Sequence, residues 1–360
     1  MQTVFRPRPA RLPVAAAMAA LLAALWVGLA RLGWLPAEGV PGGLGAHGPL
    51  IILGFLGTLI SLERAVALGR RLPYLAPILT GTGAVLYMVP AALRLGEVLM
   101  TAGGLGLVGT FVLIYRIQPS LHAATMGAGA ALWAIGGALW LAGLPVYRVV
   151  PWWAGFLVLT ILGERVELSR MGQPTRWARL TFVTAVAIFV AGLIVSVAAP
   201  VAGVRLAGVG LFLQALWLVR YDIARRTVRL AGLTRFMAVC LLAGYAWLGA
   251  AGLLWIRFAG SAAGAAYDAM LHALFLGFVM SMIFGHAPVI FPAVLGTPVR
   301  FTPRFYLHLA LLHGSAVLRL VGDLALLPGV RNWGGLLNVA AVLLFLIQTA
   351  LAARPARTGA

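Results

Sequence analysis

The chain has 360 residues, of which 62% are hydrophobic and only 10% are charged. Soluble domains are about 45–50% apolar and about 25% charged, so this chain has too few polar side chains to cover a water-soluble core. The net charge of +19 comes from arginine alone, and because these arginines flank apolar runs, they indicate membrane topology and exclude nucleic acid as the expected partner.

Twelve apolar runs follow one another along the chain, each close to the length of about 20 residues that a membrane-spanning helix needs. The first run follows Arg6, Arg8 and Arg11, and we interpret it as an uncleaved span because no small-x-small cleavage site ends it. The sequence therefore predicts an all-α membrane protein that forms a single polytopic domain. The predicted spans are approximately 13–32, 46–68, 73–94, 96–116, 121–144, 150–168, 177–198, 203–220, 233–256, 267–291, 303–326 and 334–353.

Arginines are concentrated in alternate loops, which predicts the orientation of the chain. Arg70-Arg71 and Arg225-Arg226 lie in loops that share a side with both ends of the chain. Since cytoplasmic loops are enriched in Arg, we expect residues 1–12 and 354–360 to be short cytoplasmic tails. The expected location is the bacterial cytoplasmic (inner) membrane.

Three Gly-Phe dipeptides suggest an internal repeat of four spans. Gly54-Phe55, Gly155-Phe156 and Gly277-Phe278 lie in the second, sixth and tenth spans, and each Phe is followed eight residues later by Glu63, Glu164 or His286. Glycine is also common in membrane helices because it allows close packing, so chance matches are the alternative. The repeat predicts three pseudo-symmetric four-helix arcs, at approximately 13–116, 121–220 and 233–353.

Two histidines are the first candidates for cofactor binding. His47 opens the second span and His272 lies near the start of the tenth, so both are expected near the outer face. If the repeated spans surround a common centre, one imidazole from each could ligate a heme. The alternative is that both histidines contact water or lipid headgroups at the membrane surface.

A second group of polar residues is expected nearer the inner face. His286, His308 and His313 are candidate metal ligands, although His286 could instead satisfy the backbone that Pro288 interrupts. Polar groups inside a membrane are costly and are often functional. Glu63 and Glu164, each followed by an arginine, either anchor helix ends by snorkelling or serve proton entry or an inner site.

The predicted twelve spans in three arcs, with His47 and His272 on the second and tenth spans, resemble the catalytic subunit of heme–copper oxidases. In that family these two helices supply the ligands of the low-spin heme. The tenth span here lacks the family's close His pair, and the sixth and seventh spans contain no His. The resemblance therefore implies an oxidase-like helical bundle without the oxygen-reducing centre.

The chain also resembles the NnrS family of heme- and copper-containing membrane proteins. The similar stretches are His47-Gly48 followed by GFLGTLI, and HALFLGFVMSMIFGH from His272 to His286; the family's His-x-His-Glu cluster is replaced by Gly45-Ala46-His47. This resemblance implies heme, with or without copper, and a role in nitric oxide or nitrogen-oxide metabolism or resistance.

If the protein is an enzyme, the resemblance implies a heme-dependent oxidoreductase that acts on a small diatomic gas such as nitric oxide. Its electron donor would be a membrane or soluble protein, because the predicted chain is almost entirely membrane-embedded. Two functions of other classes stay open. One is a transporter of small molecules or metal ions, and the other is an assembly factor for a respiratory complex.

Overall fold

The computed structural model describes residues 10–169 and 175–353, and these residues form an all-helical structure. Their extended pairing is limited to an isolated bridge between Val299 and Ala353. The predicted tails, apart from residues 10–12, lie outside the described residues. Eleven of the described helices are long and apolar enough to cross a membrane, which confirms the all-α class. The helices are α1 (Arg11–Arg31), α2 (Leu44–Leu68), α3 (Leu72–Tyr87), α4 (Pro90–Ile117), α5 (Leu121–Leu141), α6 (Val146–Ser169), α7 (Arg176–Ala198), α8 (Pro200–Tyr221), α9 (Gly232–Phe258), α10 (Gly264–Pro292), α11 (Phe305–Leu324) and α12 (Pro328–Ala352).

Helix α3 accounts for the difference between eleven helices of spanning length and the twelve predicted. The third span was expected over 73–94, but α3 ends at Tyr87 and is a shorter apolar helix. Val89 adopts an extended conformation before Pro90, which opens the next helix. Because the residue before a proline disfavours helical geometry, the chain breaks here rather than at Arg94. The residues that were assigned to the end of the third span therefore begin α4.

The contacts divide the chain into two compact units, with boundaries inside α6, inside α10 and after residue 297. The first unit contains residues 1–163 and 290–297. Within it, α1 packs against α2 and α3, α3 packs against α4, and α4 packs against α5. Close approach of α3 and α4 depends on glycine, since a Cβ on Gly96 would lie 2.6 Å from the backbone nitrogen of Tyr87. Small residues thus bring these two helices into backbone contact.

The second unit contains residues 164–289 and 298–360. Its helices pack largely in chain order, with α7 on α8, α8 on α9, α9 on α10, and α11 on both α10 and α12. Glycines again mark the crossings: a Cβ on Gly208 would lie 2.8 Å from the carbonyl oxygen of Gly252, where α8 meets α9. The boundaries of the three predicted four-helix repeats stay a prediction.

Helices α2 and α10 share an uncommon backbone conformation. Each contains an eight-residue π-helical segment, Leu50–Gly57 in α2 and Ala273–Met280 in α10. The Gly-Phe dipeptide occupies the fifth and sixth positions of both segments. Helix α6, which carries the third Gly-Phe, is α-helical throughout its described length. π-Helical segments are rare, and where they occur they are often at functional sites. Those of α2 and α10 begin within three residues of His47 and His272.

Candidate functional site

His272 lies at the start of the π-helical segment of α10, where Asp268 holds its imidazole. The Nδ1 atom is 2.9 Å from the backbone carbonyl oxygen of Asp268 and 3.2 Å from its Oδ1. Both partners are acceptors, so Nδ1 carries the hydrogen and, in the neutral ring, the lone pair is on Nε2. This is the arrangement typical of a metal-ligating histidine, whose other nitrogen donates to a carboxylate or a carbonyl.

Arg319 on α11 fixes the carboxylate that orients His272. Its Nε donates to Asp268 Oδ2 at 2.7 Å, and its Nη2 donates to Oδ1 at 2.8 Å. Such bidentate pairs define the carboxylate plane as well as its position. Gly334 on α12 makes room for Arg319, since a Cβ there would lie 2.6 Å from the Arg319 backbone nitrogen. We call Asp268, His272 and Arg319 the Asp268 cluster.

Asp323 extends the charge of this region by one helical turn along α11. Its side chain is only 2% exposed, and it interacts electrostatically with Asp268, Arg319 and Arg331. Two carboxylates and two guanidinium groups therefore lie close together in the second unit. Charged groups in a membrane-embedded helix are tolerated when they pair inside the protein.

His47 belongs to the first unit and is also held at Nδ1. Its Nδ1 lies 2.8 Å from the carbonyl oxygen of Ala24 on α1, so the neutral ring again has its lone pair on Nε2. Gly28, one turn further along α1, lies against the imidazole: a Cβ there would come within 3.1 Å of His47 Cε1. Thus α1 fixes the ring by one hydrogen bond and by one glycine contact.

His286 has a different environment, in which both ring nitrogens contact protein atoms. Its Nδ1 lies 2.7 Å from the carbonyl oxygen of Met282, and its Nε2 lies 3.3 Å from Arg165 Nη1. A carbonyl can only accept and a guanidinium can only donate, so the ring is the neutral Nδ1–H tautomer. Metal ligation through Nε2, which we predicted as one role for His286, would require displacement of Arg165.

Arg165 and Asp222 form a deeply buried ion pair beside His286. Arg165 Nε donates to Asp222 Oδ2 at 2.8 Å, and the two residues are 2% and 4% exposed. Asp222 also accepts the backbone N–H of Ala224 at 2.7 Å, and the buried hydroxyl of Tyr245 lies close enough to interact with both charges. We call Arg165, Asp222 and His286 the Asp222 cluster.

His313 on α11 lies in a chain of hydrogen bonds. Trp247 Nε1 donates to its Nδ1 at 3.0 Å, its Nε2 lies 3.3 Å from Ser281 Oγ, and that hydroxyl donates to the carbonyl oxygen of Cys240 at 2.7 Å. The donors and acceptors match if His313 is the neutral Nε2–H tautomer. Both nitrogens are engaged, which favours a structural role over its predicted metal ligation.

His308, five residues before His313, contacts a different set of side chains. It is fully buried, and its Nδ1 is 2.6 Å from Gln348 Oε1. Four phenylalanine rings of the described residues contact the imidazole, and these rings cannot bind a metal ion. They are Phe236, Phe284, Phe305 and Phe345.

The two glutamates occupy the first and second units respectively. Glu63 lies 3.8 Å from Arg64, the long distance of a weak ion pair at a helix end. Glu164 is half-buried and contributes to the charge around Arg165. Neither contact tests the predicted role in proton entry or at an inner site.

Sequence reasoning missed the acidic and basic partners of these histidines. Asp268, Arg319, Arg165 and Asp222 were not candidates, yet they determine how the imidazoles are held. The signal was present for Asp268, because an acidic residue inside a predicted span is costly unless it is paired. Its partner Arg319 is 51 residues away, and such long-range pairing has no local sequence pattern.

Ligand geometry differs among the candidates. Across residues 10–169 and 175–353, no group of three or more His, Cys, Asp or Glu side chains forms a metal site. His47 and His272, one in each unit, both have Nδ1 held by the protein and the lone pair on Nε2. Each residue could therefore serve as a single protein ligand, and the ligation of heme or copper stays a prediction.

Comparison with known proteins identifies a family but no function. Residues 11–354 match the family described as a domain of unknown function, DUF8744. No curated protein matches the chain. Because the match covers nearly the whole length, the chain belongs to the DUF8744 family.

Proposed function

We propose that the protein is a multi-pass membrane protein that binds heme, with His272 and His47 each a candidate protein ligand. The observation that carries the proposal is the anchoring of His272: Nδ1 donates to Asp268, and Arg319 holds that carboxylate at two atoms. A carboxylate or carbonyl partner of this kind orients a ligand histidine and raises its basicity. His47 supports the proposal through its bond to the Ala24 carbonyl.

The donor set suits heme better than a metal held by protein alone. Heme iron takes its remaining ligands from the porphyrin and needs one or two from the protein, and histidine is a common choice. Bound heme supplies an iron that coordinates small gases and exchanges single electrons. The chain's own residues would hold the imidazole in one tautomer and keep charge close to it.

Other parts of the proposal rest on resemblance. Similarity to the NnrS family supports a role in nitric oxide or nitrogen-oxide metabolism or resistance in a bacterial inner membrane, with a separate electron donor. The shared register of the π-helical segments in α2 and α10 supports descent of these two helices from a common repeat. The pseudo-symmetric, oxidase-like arcs remain part of the proposal.

The test is heme content after purification from heme-replete cells. We expect a Soret band and a pyridine hemochrome spectrum from the wild-type protein. His272→Ala and His47→Ala should each lower heme content or change the iron spin state, since a lost axial ligand alters both. His122→Ala is the matched control, because His122 contacts Ser120 beside the start of α5. A wild-type protein without a Soret band would refute the proposal.

Ferrous protein exposed to nitric oxide tests the gas-binding part separately. The expected result is a shift of the Soret band that depends on the added nitric oxide. If the protein contains heme but its spectrum does not respond to nitric oxide, the heme proposal stands and the proposed role in nitrogen-oxide handling is wrong.

A transporter is the second candidate, and the Asp222 cluster is the observation that favours it. An ion pair as buried as Arg165 and Asp222 is costly in a membrane protein, and such pairs mark substrate or proton pathways. Uptake of a labelled ion or small molecule into proteoliposomes would support this function. If the protein is a transporter, uptake should be lost in Asp222→Asn and unchanged in the double variant His47→Ala, His272→Ala.

A further inference from the structure

An open apolar groove runs between α4 and α5 in the first unit. Its volume is about 330 Å³. The lining is apolar except at the end of α4, where Tyr115 and Arg116 lie. The lining residues are Val108, Phe111, Val112, Tyr115, Arg116, Ala123, Ala124 and Gly127.

Positive charge is concentrated at one end of this groove. Arg116 lies in the last turn of α4, and no carboxylate of the described residues pairs with it. The first turn of α5 lines the same end through Ala123 and Ala124. The N-terminus of a helix carries a partial positive charge, so the guanidinium and the helix end attract the same anion.

We propose that this groove binds an anionic phospholipid, with its phosphate at Arg116 and an acyl chain along the apolar lining. Basic pockets between membrane helices on the cytoplasmic side are a recognised means of binding anionic headgroups. The arginine distribution predicts that this end of α4 faces the cytoplasm. The apolar lining of the groove suits an acyl chain rather than a free phosphate. The proposal does not depend on heme.

A similarly placed arginine in the second unit offers a matched control. Arg220 lies in the last turn of α8, as Arg116 does in α4. Its guanidinium carbon lies 5.1 Å from the centre of the Tyr221 ring, so it is engaged by a cation–π contact. The two arginines have the same charge and a similar helical position, and only Arg116 lines the groove.

The experiment measures lipid bound to the purified full-length protein by native mass spectrometry. Delipidated protein is titrated with phosphatidylglycerol, with phosphatidylcholine and, in a third arm, with inorganic phosphate. We expect one preferentially bound phosphatidylglycerol, about fivefold weaker binding in Arg116→Gln, recovery in Arg116→Lys, and no change in Arg220→Gln. Ala124→Leu should also weaken binding because the added side chain fills the groove.

Three results would overturn the proposal. The first is equal binding of the two lipids by wild-type protein. The second is the same loss in Arg220→Gln as in Arg116→Gln, which would indicate diffuse surface charge. The third is binding of inorganic phosphate with the affinity of the lipid, which would show that the groove contributes nothing. If Arg116→Gln does not fold, Ala124→Leu keeps the lipid comparison decisive.

Discussion

The Asp268 and Asp222 clusters contain the same three residue types and hold their histidines in opposite ways. In each, an arginine binds an aspartate, and a histidine lies beside the pair. His286 accepts a hydrogen bond from Arg165 at Nε2, whereas His272 donates to Asp268 from Nδ1. Nε2 therefore accepts a hydrogen bond from an arginine in one cluster, whereas Nδ1 donates to the aspartate in the other. The same three residue types therefore give two different hydrogen-bond arrangements, and the proposal that His272 is a ligand rests on its arrangement.

The largest expected effect is on stability and comes from the Asp222 cluster. Arg165 donates to both carboxylate oxygens of Asp222, from Nε at 2.8 Å and from Nη2 at 3.4 Å. Arg165→Met leaves this carboxylate buried without its charged partner, so we expect the free energy of unfolding to fall by about 3–5 kcal/mol. Cys240 is the only cysteine and is fully buried, so its labelling by a thiol-reactive dye during denaturant titration reports unfolding. Arg220→Met is the control and should change stability by less than about 0.5 kcal/mol. A loss below about 1 kcal/mol in Arg165→Met would mean that the pair is dispensable.

The second-largest expected effect is on heme affinity, and it distinguishes Asp268 from Asp222. Asp268→Asn removes the charged acceptor of His272, and loss of such a partner typically weakens metal binding about 10–100-fold. Asp222→Asn should leave heme affinity per folded molecule unchanged, although it lowers stability. Heme titration of the apoprotein, followed by the Soret band, measures both variants. Equal weakening in the two variants would contradict the assignment of separate roles.

His286→Leu should have a smaller effect, and on stability alone. The substitution removes the acceptor of one Arg165 N–H, which costs about 1–3 kcal/mol when a charged donor loses its partner. Heme content should match that of the wild-type protein. If His286→Leu instead loses heme as His272→Ala does, then His286 is a ligand and the comparison of the clusters fails.

The smallest expected effect extends the comparison to the first unit. In Gly28→Ala the new methyl group would lie 3.1 Å from His47 Cε1, so the imidazole must move by a few tenths of an ångström. We expect a small shift of the heme spectrum with stability reduced by less than about 1.5 kcal/mol. Gly45→Ala is the control because a Cβ there meets nothing within 4 Å. Identical spectra for both variants would argue against ligation by His47.

The helices could be predicted from the sequence because lipid imposes long apolar runs with charged ends. The main error in the spans was the break between α3 and α4, where Pro90 outweighs the hydropathy pattern that pointed to Arg94. The Gly-Phe pattern predicted that α2, α6 and α10 correspond. Helices α2 and α10 carry π-helical segments in the same register, whereas α6 is α-helical, so the threefold repeat stays a prediction. Their π-helical conformation itself was not predictable, since it depends on hydrogen-bond spacing that no residue type specifies.

The candidate site was only partly predictable, for a different physical reason. His47 and His272 were chosen from their position near helix starts. What distinguishes His272 from His286 and His313 is the direction of single hydrogen bonds from Asp268, Arg165 and Trp247. Those partners lie on other helices or a turn away on the same one, and their contacts depend on side-chain rotation within the packed unit.

Chemical rescue shows whether His272 is a ligand of heme. His272→Gly removes the imidazole and leaves space for a free one. We expect this variant to lose the wild-type Soret and spin-state signature and to recover it when imidazole is added. His313→Gly should show neither loss nor recovery of the signature per folded molecule. A wild-type spectrum in His272→Gly without added imidazole would contradict the account.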